Sequence, residues 1–223
     1  MQTEAAMENT DLNPEGVVGL MLRLRGHGIT DPQWLSLVES VPHDRFVPVQ
    51  YFDQAWRDCS LPIACGQTMH SPDTIIRMVH ALGLESSHNV LEIGTGSGYL
   101  TALLSKLANK VFSIDRYKSL ISAASDRLLK LGCSNVTFSQ CDSAKAPDSP
   151  GLYDRIIADT AFDSMPRELL DVLVSGGVVV TAIGDKGAEQ TVVRLTKIGS
   201  RFEREDLYNV RFGTFEKGTA KFL

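Results

Sequence analysis

Residues Val90 to Leu100 read Val-Leu-Glu-Ile-Gly-Thr-Gly-Ser-Gly-Tyr-Leu, an apolar strand, a glycine-rich turn and the start of a helix. No other stretch restricts the fold as tightly. Gly94, Gly96 and Gly98 carry no Cβ, so the backbone can turn sharply and a ligand can approach it closely. The spacing is Gly-x-Gly-x-Gly. A dinucleotide fingerprint needs Gly or Ala three residues after its second glycine, and Tyr99 holds that place. The turn therefore speaks against a nicotinamide-dependent dehydrogenase.

From His88 onward, strand and helix patterns alternate. Strands are predicted at 89–93, 110–114, 135–139, 153–158 and 177–183, with helices at 98–108, 117–131 and 166–174 between them. Segments 190–198 and 205–214 read as a last pair of strands joined around Gly199-Ser200. Repeated βαβ units predict a doubly wound, mostly parallel α/β sheet of about seven strands, Rossmann-like, with an antiparallel element near the C-terminus. Upstream, Val17, Val18, Leu20, Met21 and Leu24 mark a helix over 14–26. Asp31 as N-cap and Pro32 open a second helix with Trp34, Leu35 and Val38 on its apolar face. Residues 49–69 read as irregular. Ser71-Pro72 opens a third helix, with Ile75, Ile76, Met78, Val79 and Leu82 buried and Gly83 as its stop. The expected organisation is a tail over 1–13 and one domain over 14–223. Residues 14–87 form a helical cap on the substrate side, and 88–223 form the core.

Composition narrows the function. A net charge of −5 argues against a general nucleic-acid binder. No apolar run approaches the ~18 residues of a membrane span, and the acidic N-terminus lacks the regions of a signal peptide. Cys59, Cys65, Cys133 and Cys141 have no Cys-x-x-Cys spacing and read as reduced thiols. His27, His43, His80 and His88 are scattered without ligand spacing. A cytoplasmic monomer is expected, with no metal, membrane or nucleic-acid partner.

Ligands of such sheets bind at the carboxyl ends of the strands. There the first strand gives Gly94 to Gly98. The second gives Asp115-Arg116, where a carboxylate can accept two ribose hydroxyl hydrogens. The third gives Asp142-Ser143, suited to an adenine amino group, and the fourth gives Asp159-Thr160-Ala161-Phe162. Glu92 lies within the first strand, where a carboxylate must hold backbone or ligand amino groups or be otherwise paired.

Two upstream stretches narrow the family. Val41-Pro-His-Asp-Arg-Phe-Val-Pro48 and Leu61-Pro-Ile-Ala-Cys-Gly-Gln-Thr-Met-His-Ser-Pro72, followed by the glycine turn, resemble protein-L-isoaspartate O-methyltransferases. Those enzymes read Val-Pro-Arg-x-x-Phe-Val-Pro, then Leu-Pro-Ile-Gly-x-Gly-Gln-Thr-Ile-Ser-x-Pro. The resemblance covers roughly Ile29 to Gly184, with a weaker echo at Val210-Arg-Phe212. It implies methylation of the stray carboxylate of L-isoaspartyl residues in damaged proteins or peptides, with S-adenosyl-L-methionine (SAM) as methyl donor. It places Thr68, Glu92, Gly94, Thr95, Gly96, Ser97, Gly98, Asp115, Arg116, Asp142, Ser143 and Asp159 on the cofactor, Asp159 facing the reacting methyl. His70 and Ser71 fall at the catalytic position, and Thr160, Phe162 and Asp163 in the substrate loop.

Two departures stand out. His70 aligns with the family's active-site Ser, leaving Ser71 one residue late, where it also suits a helix N-cap. Thr160-Ala-Phe-Asp-Ser-Met-Pro166 stands where the family has Thr-Ala-Ala-Ala-Pro. A carboxylate acceptor is already ionised at neutral pH and needs no general base, so the protein must mainly align oxygen, methyl and sulfur. An imidazole can orient the acceptor as a hydroxyl does, and the N-terminus of helix 72–82 also favours an anion. Three alternatives remain: a methyltransferase of the same branch acting on another carboxylate, a base methyltransferase using Asp159 to Phe162, and a catalytically weak SAM-binding protein.

Overall fold

Runs of Val, Ile and Leu without alternation predict strands covered on both faces. The computed structural model describes residues 13–142, 151–213 and 218–220, and it joins these runs into one seven-stranded sheet. The helices are α1 Pro14–Gly26, α2 Gln33–Ser40, α3 Pro72–Leu82, α4 Tyr99–Leu107, α5 Lys118–Lys130 and α6 Arg167–Asp171. A two-stranded hairpin pairs β1 Leu61–Pro62 with β2 Thr68–Met69. The main sheet contains β3 Asn89–Ile93, β4 Lys110–Asp115, β5 Val136–Gln140, β6 Tyr153–Phe162, β7 Leu173–Ile183, β8 Gln190–Ile198 and β9 Arg201–Val210. Its order is β5-β4-β3-β6-β7-β8-β9. Strands β3 to β7 are parallel, and β8 and β9 return antiparallel. The expected α/β architecture with its antiparallel C-terminal element is therefore present. Chain direction across the sheet reverses between β3 and β6, the place where such sheets open a crevice.

Several boundaries differ from expectation. Helix α6 is shorter than 166–174 because Leu173, almost fully buried, pairs with Tyr153 and already belongs to β7. Gly176-Gly177 is then a bulge inside β7, where Gly176 takes φ +80. Strand β9 begins at Arg201, four residues early, because Gly199-Ser200 makes a two-residue hairpin turn. Val18 of α1 and Leu35 of α2 are exposed, each lying off its helix's buried stripe, and Leu37 joins Trp34 and Val38 inside. Residues 61–69, expected to be irregular, carry the β1–β2 hairpin.

The N-terminal third shares the sheet's core. One apolar layer combines Val17, Leu20 and Leu24 of α1 and Ile76 and Val79 of α3 with Val180 and Val192 of the sheet. On the opposite face Leu91, Ile93, Ile114 and Val179 pack with Leu169 of α6. Polar clamps fix α3 within this arrangement. Arg23 grips Asp73 with two hydrogen bonds, 2.8 and 2.9 Å, and also donates to the Trp56 carbonyl. At the other end, Arg155 and Arg194 donate to the Leu82 and Ala81 carbonyls, which lack helical partners. The Val41–Pro48 motif is part of the same scaffold. Phe46 and His43 pack edge-on against Tyr99, at the start of α4.

Gly98 shows what the turn demands of packing. Its φ is +86, and a Cβ there would lie 2.9 Å from the Ala124 Cβ of α5. Gly98→Ala is therefore expected to destabilise the fold by about 2–4 kcal/mol, combining left-handed strain with overpacking. The midpoint of a urea titration monitored by circular dichroism measures it.

Candidate active site

The glycine turn is stitched to the neighbouring strand. Gly94 and Thr95 donate their backbone N–H groups to the Ile114 carbonyl at 2.8 and 3.3 Å. Asp115, the last residue of β4, accepts from the Gly96 N–H at 3.0 Å and the Tyr117 N–H at 2.9 Å, one on each oxygen. This leaves lone pairs on both oxygens. Gly94 takes φ +94, and a Cβ built there meets nothing within 4 Å. It borders a cavity of about 160 Å³ at the carboxyl ends of β3, β4 and β6.

The structure brings Thr68, His70, Gly94, Gly96, Asp115, Arg116, Asp159 and Thr160 to the wall of this cavity. Thr95 and Ser97 instead border a smaller space of about 20 Å³ beside it, which Asp159 and His70 share. Gly98 packs under the turn, against α5. Glu92 is wholly buried beneath the site and does not reach the wall. Asp142 stands just past the end of β5, off the cavity wall, and Ser143 lies outside the described residues. Ser71 is turned away from the cavity. Its hydroxyl donates to Asp58 at 2.6 Å and accepts from the Thr74 N–H, so it caps α3. Phe162 points into the opposite apolar layer with Leu169, and Asp163 is exposed.

A bulge explains why Asp159 and Thr160 both face the cavity. The β6–β7 register is Ile157 to Val180 and then Ala161 to Ala182, so β6 carries extra residues there. Such bulges re-aim side chains at sites. Thr160 donates its hydroxyl to the Gly213 carbonyl at 3.0 Å, and Thr181 donates to the Thr160 carbonyl.

His70 is 5% exposed and held on three sides. Nδ1 lies 3.2 Å from the Ser60 hydroxyl, and Nε2 lies 3.4 Å from Asp159 Oδ1. Its ring stacks on Phe212, centroids 3.8 Å apart and planes at 19°. Phe212 is itself fixed by buried Gln190, whose side-chain amide accepts from the Phe212 N–H at 2.9 Å and donates to its carbonyl at 3.4 Å. Burial pushes the His70 pKa down to about 4, so the imidazole is neutral at pH 7. Burial pushes the acids the other way. Asp159 rises well above the usual carboxylate range through burial and the charge of Glu92. Glu92 rises to about 8 through burial, only partly offset by the nearby Ser113 and Thr101 hydroxyls.

The wall also contains Ile63, Gly66, Gln67, Ile93, Tyr117, Leu120 and Gly213, which the strand-end argument did not name. Ile63, Gly66 and Gln67 lie within the Leu61–Pro72 stretch that carried the resemblance. Gly213 follows the Val210-Arg-Phe212 echo. The hairpin loop is tied to the base of α5, with Gln67 donating to the Tyr117 hydroxyl and Cys65 touching Ser119.

Comparison with known proteins agrees with this geometry. The family model described as Protein-L-isoaspartate(D-aspartate) O-methyltransferase (PCMT) matches residues 17–220. Protein-L-isoaspartate O-methyltransferase 2 of Rhodopseudomonas palustris (strain HaA2) is 42% identical over 202 residues, covering 91% of this chain and 93% of the relative. Protein-L-isoaspartate O-methyltransferase of Rhizobium meliloti (strain 1021) is 37% identical over 204 residues, covering 92% of this chain and 100% of the relative. A Plasmodium falciparum PCMT structure in complex with S-adenosyl-L-homocysteine superposes with a TM-score of 0.73 at 20% identity, over 89% of this chain and 97% of that one. That last likeness is one of fold.

The buried acid beneath the site has a measurable signature. Between pH 4.5 and about 8 the folded protein keeps the Glu92 proton that the unfolded chain releases. Stability therefore falls as pH rises through that window, by roughly 1 kcal/mol per unit. Glu92→Gln removes this loss, so the variant's stability relative to wild type should climb steadily from pH 5 to pH 8 in denaturant titrations. A constant difference contradicts the assignment.

Proposed function

We propose that this chain, which belongs to the protein-L-isoaspartate(D-aspartate) O-methyltransferase family, transfers a methyl group from SAM to the side-chain carboxylate of L-isoaspartyl residues in damaged proteins and peptides. The observation that carries this reading is one cavity with two kinds of wall: the glycine turn and Asp115 on one side, and His70, Asp159 and Thr160 on the other.

The residues present fit the cofactor. Open space at the Gly94 Cβ position lets a ligand lie against the backbone. Asp115 keeps acceptor capacity for the ribose hydroxyls after satisfying two backbone amides. Ile93, Tyr117 and Leu120 supply apolar surface for an adenosine. When bound, SAM supplies an electrophilic methyl group on a positively charged sulfur. The protein's own contribution is orientation and exclusion of water. The acceptor carboxylate is already ionised, and neutral His70 is not needed as a base. His70, Thr68 and Thr160 line the approach and fix the acceptor's direction, a gain of alignment rather than of proton transfer. The enzyme in this reading is a cytoplasmic monomer, and the free thiols suit a reducing compartment.

The test is methyl transfer from radiolabelled SAM to paired peptides, one isoaspartyl and one aspartyl. Label should enter the isoaspartyl peptide selectively. Equal labelling of both, or none with SAM bound, defeats the reading. Two variants divide the site. Asp115→Ala should weaken SAM binding in calorimetry by ~10- to 150-fold, the effect of losing a charged hydrogen-bond acceptor. His70→Ala should lower turnover on the isoaspartyl peptide while SAM affinity is nearly unchanged, because the lost contact is on the acceptor side.

A further inference from the structure

Among the described residues, Asp159 is the one carboxylate that borders both the main cavity and the smaller space beside it. Its Oδ1 is buried without a hydrogen-bond partner, and His70 Nε2 approaches it to 3.4 Å. The exposed 16% of its side chain faces the cavity. The family resemblance assigned it to the cofactor. The geometry suits another partner.

We propose that Asp159 and His70 form one close pair that receives the acceptor carboxylate, with Asp159 in its acid form donating a hydrogen bond to that carboxylate and His70 packed beside Asp159 to fix its position. This rests on the functional reading above and names the residues that bind its acceptor. The chain of donors is consistent throughout. The Ser60 hydroxyl sits 3.2 Å from Nδ1 of His70 and can donate to it, which leaves the ring proton on Nε2, 3.4 Å from Asp159 Oδ1. Oδ2 is left to carry the acid proton into the cavity. Phe212, stacked on the imidazole and clamped by Gln190, stops the ring from rotating out of this line.

Electrostatics decides the protonation state. The titratable groups facing Asp159 are His70 from the segment before α3, Glu92 from β3 and Tyr208 from β9. Burial keeps His70 neutral, so it supplies no counter-charge. Burial and Glu92 both raise Asp159, and burial also keeps the Tyr208 phenol protonated. An ionised Asp159 would repel an incoming carboxylate at short range in a medium of low dielectric. A neutral carboxyl in an apolar setting instead offers a strong donor, a device that other active sites use. A carboxyl donor and an imidazole thus perform together what a hydroxyl would do at this place.

The experiment titrates an isoaspartyl peptide into protein saturated with S-adenosylhomocysteine, and measures kcat and KM alongside, for wild type, Asp159→Asn and Asp159→Ala. The Ala variant should weaken peptide binding and raise KM roughly ten- to a hundredfold, while Asn, which keeps a neutral donor, should stay within about threefold of wild type. S-Adenosylhomocysteine affinity should not move in either. In wild type, peptide KM should climb with pH as Asp159 ionises. The Asn variant should flatten that climb, and His70→Phe should displace it by removing Nε2 while keeping the stack. An Asn variant as weak as Ala, with wild type active, overturns the pair alone. So does a loss of S-adenosylhomocysteine affinity in place of peptide affinity, which returns Asp159 to the cofactor. A wild type that neither binds nor methylates the isoaspartyl peptide overturns the functional reading and the pair together.

Discussion

The carboxylate of Asp115 is the interaction on which the site depends. It ends β4 and takes one backbone amide from the glycine turn and one from the start of α5. Two loops from adjacent βα units are thereby fixed relative to each other, and the cavity between them keeps its shape. Buried acceptors of this kind are worth more than surface contacts, because the amides they satisfy would otherwise be orphaned. The glycines are the other half of the same device. The left-handed conformation of Gly96 brings its N–H around to where the Asp115 carboxylate can reach it.

Beyond this lies an uneven distribution of charge. Glu92, Asp115 and Asp159 sit at the ends of three neighbouring strands, all with pKa values raised by burial. Three ionised carboxylates in so small a volume would repel strongly, and burial moves the pKa of each upward. The environments differ in a useful way. Asp115 is stabilised by backbone amides, whereas Asp159 has burial and a like charge acting on it.

The segments before the sheet show how much scaffold a small site needs. The Val41–Pro48 motif carries no group to the cavity. His43 donates Nδ1–H to the Ala55 carbonyl, Asp44 accepts from the Trp56 indole, and Phe46 packs on Tyr99. Its part is to seat the N-terminal third against α4. The Leu61–Pro72 stretch does reach the cavity, through a hairpin too short to register as alternating hydrophobicity.

Much was legible in the chain itself. The strand–glycine–helix turn, the alternation of βα units and the acids at consecutive strand ends are local patterns with fixed periods and offsets, so they determined the α/β sheet, its crevice and the place of Gly94, Gly96 and Asp115 on its wall. What the sequence could not decide was direction. Ser71 and His70 are neighbours, yet one caps a helix and the other faces the cavity. Phe162 and Thr160 lie two residues apart, yet a bulge in β6 sends one into the core and the other to the site. Gln190 and Phe212 are brought together only when β8 and β9 pair with Gln190 opposite Val210. These outcomes depend on register, bulges and contacts between distant parts of the chain, which only the packed tertiary structure fixes.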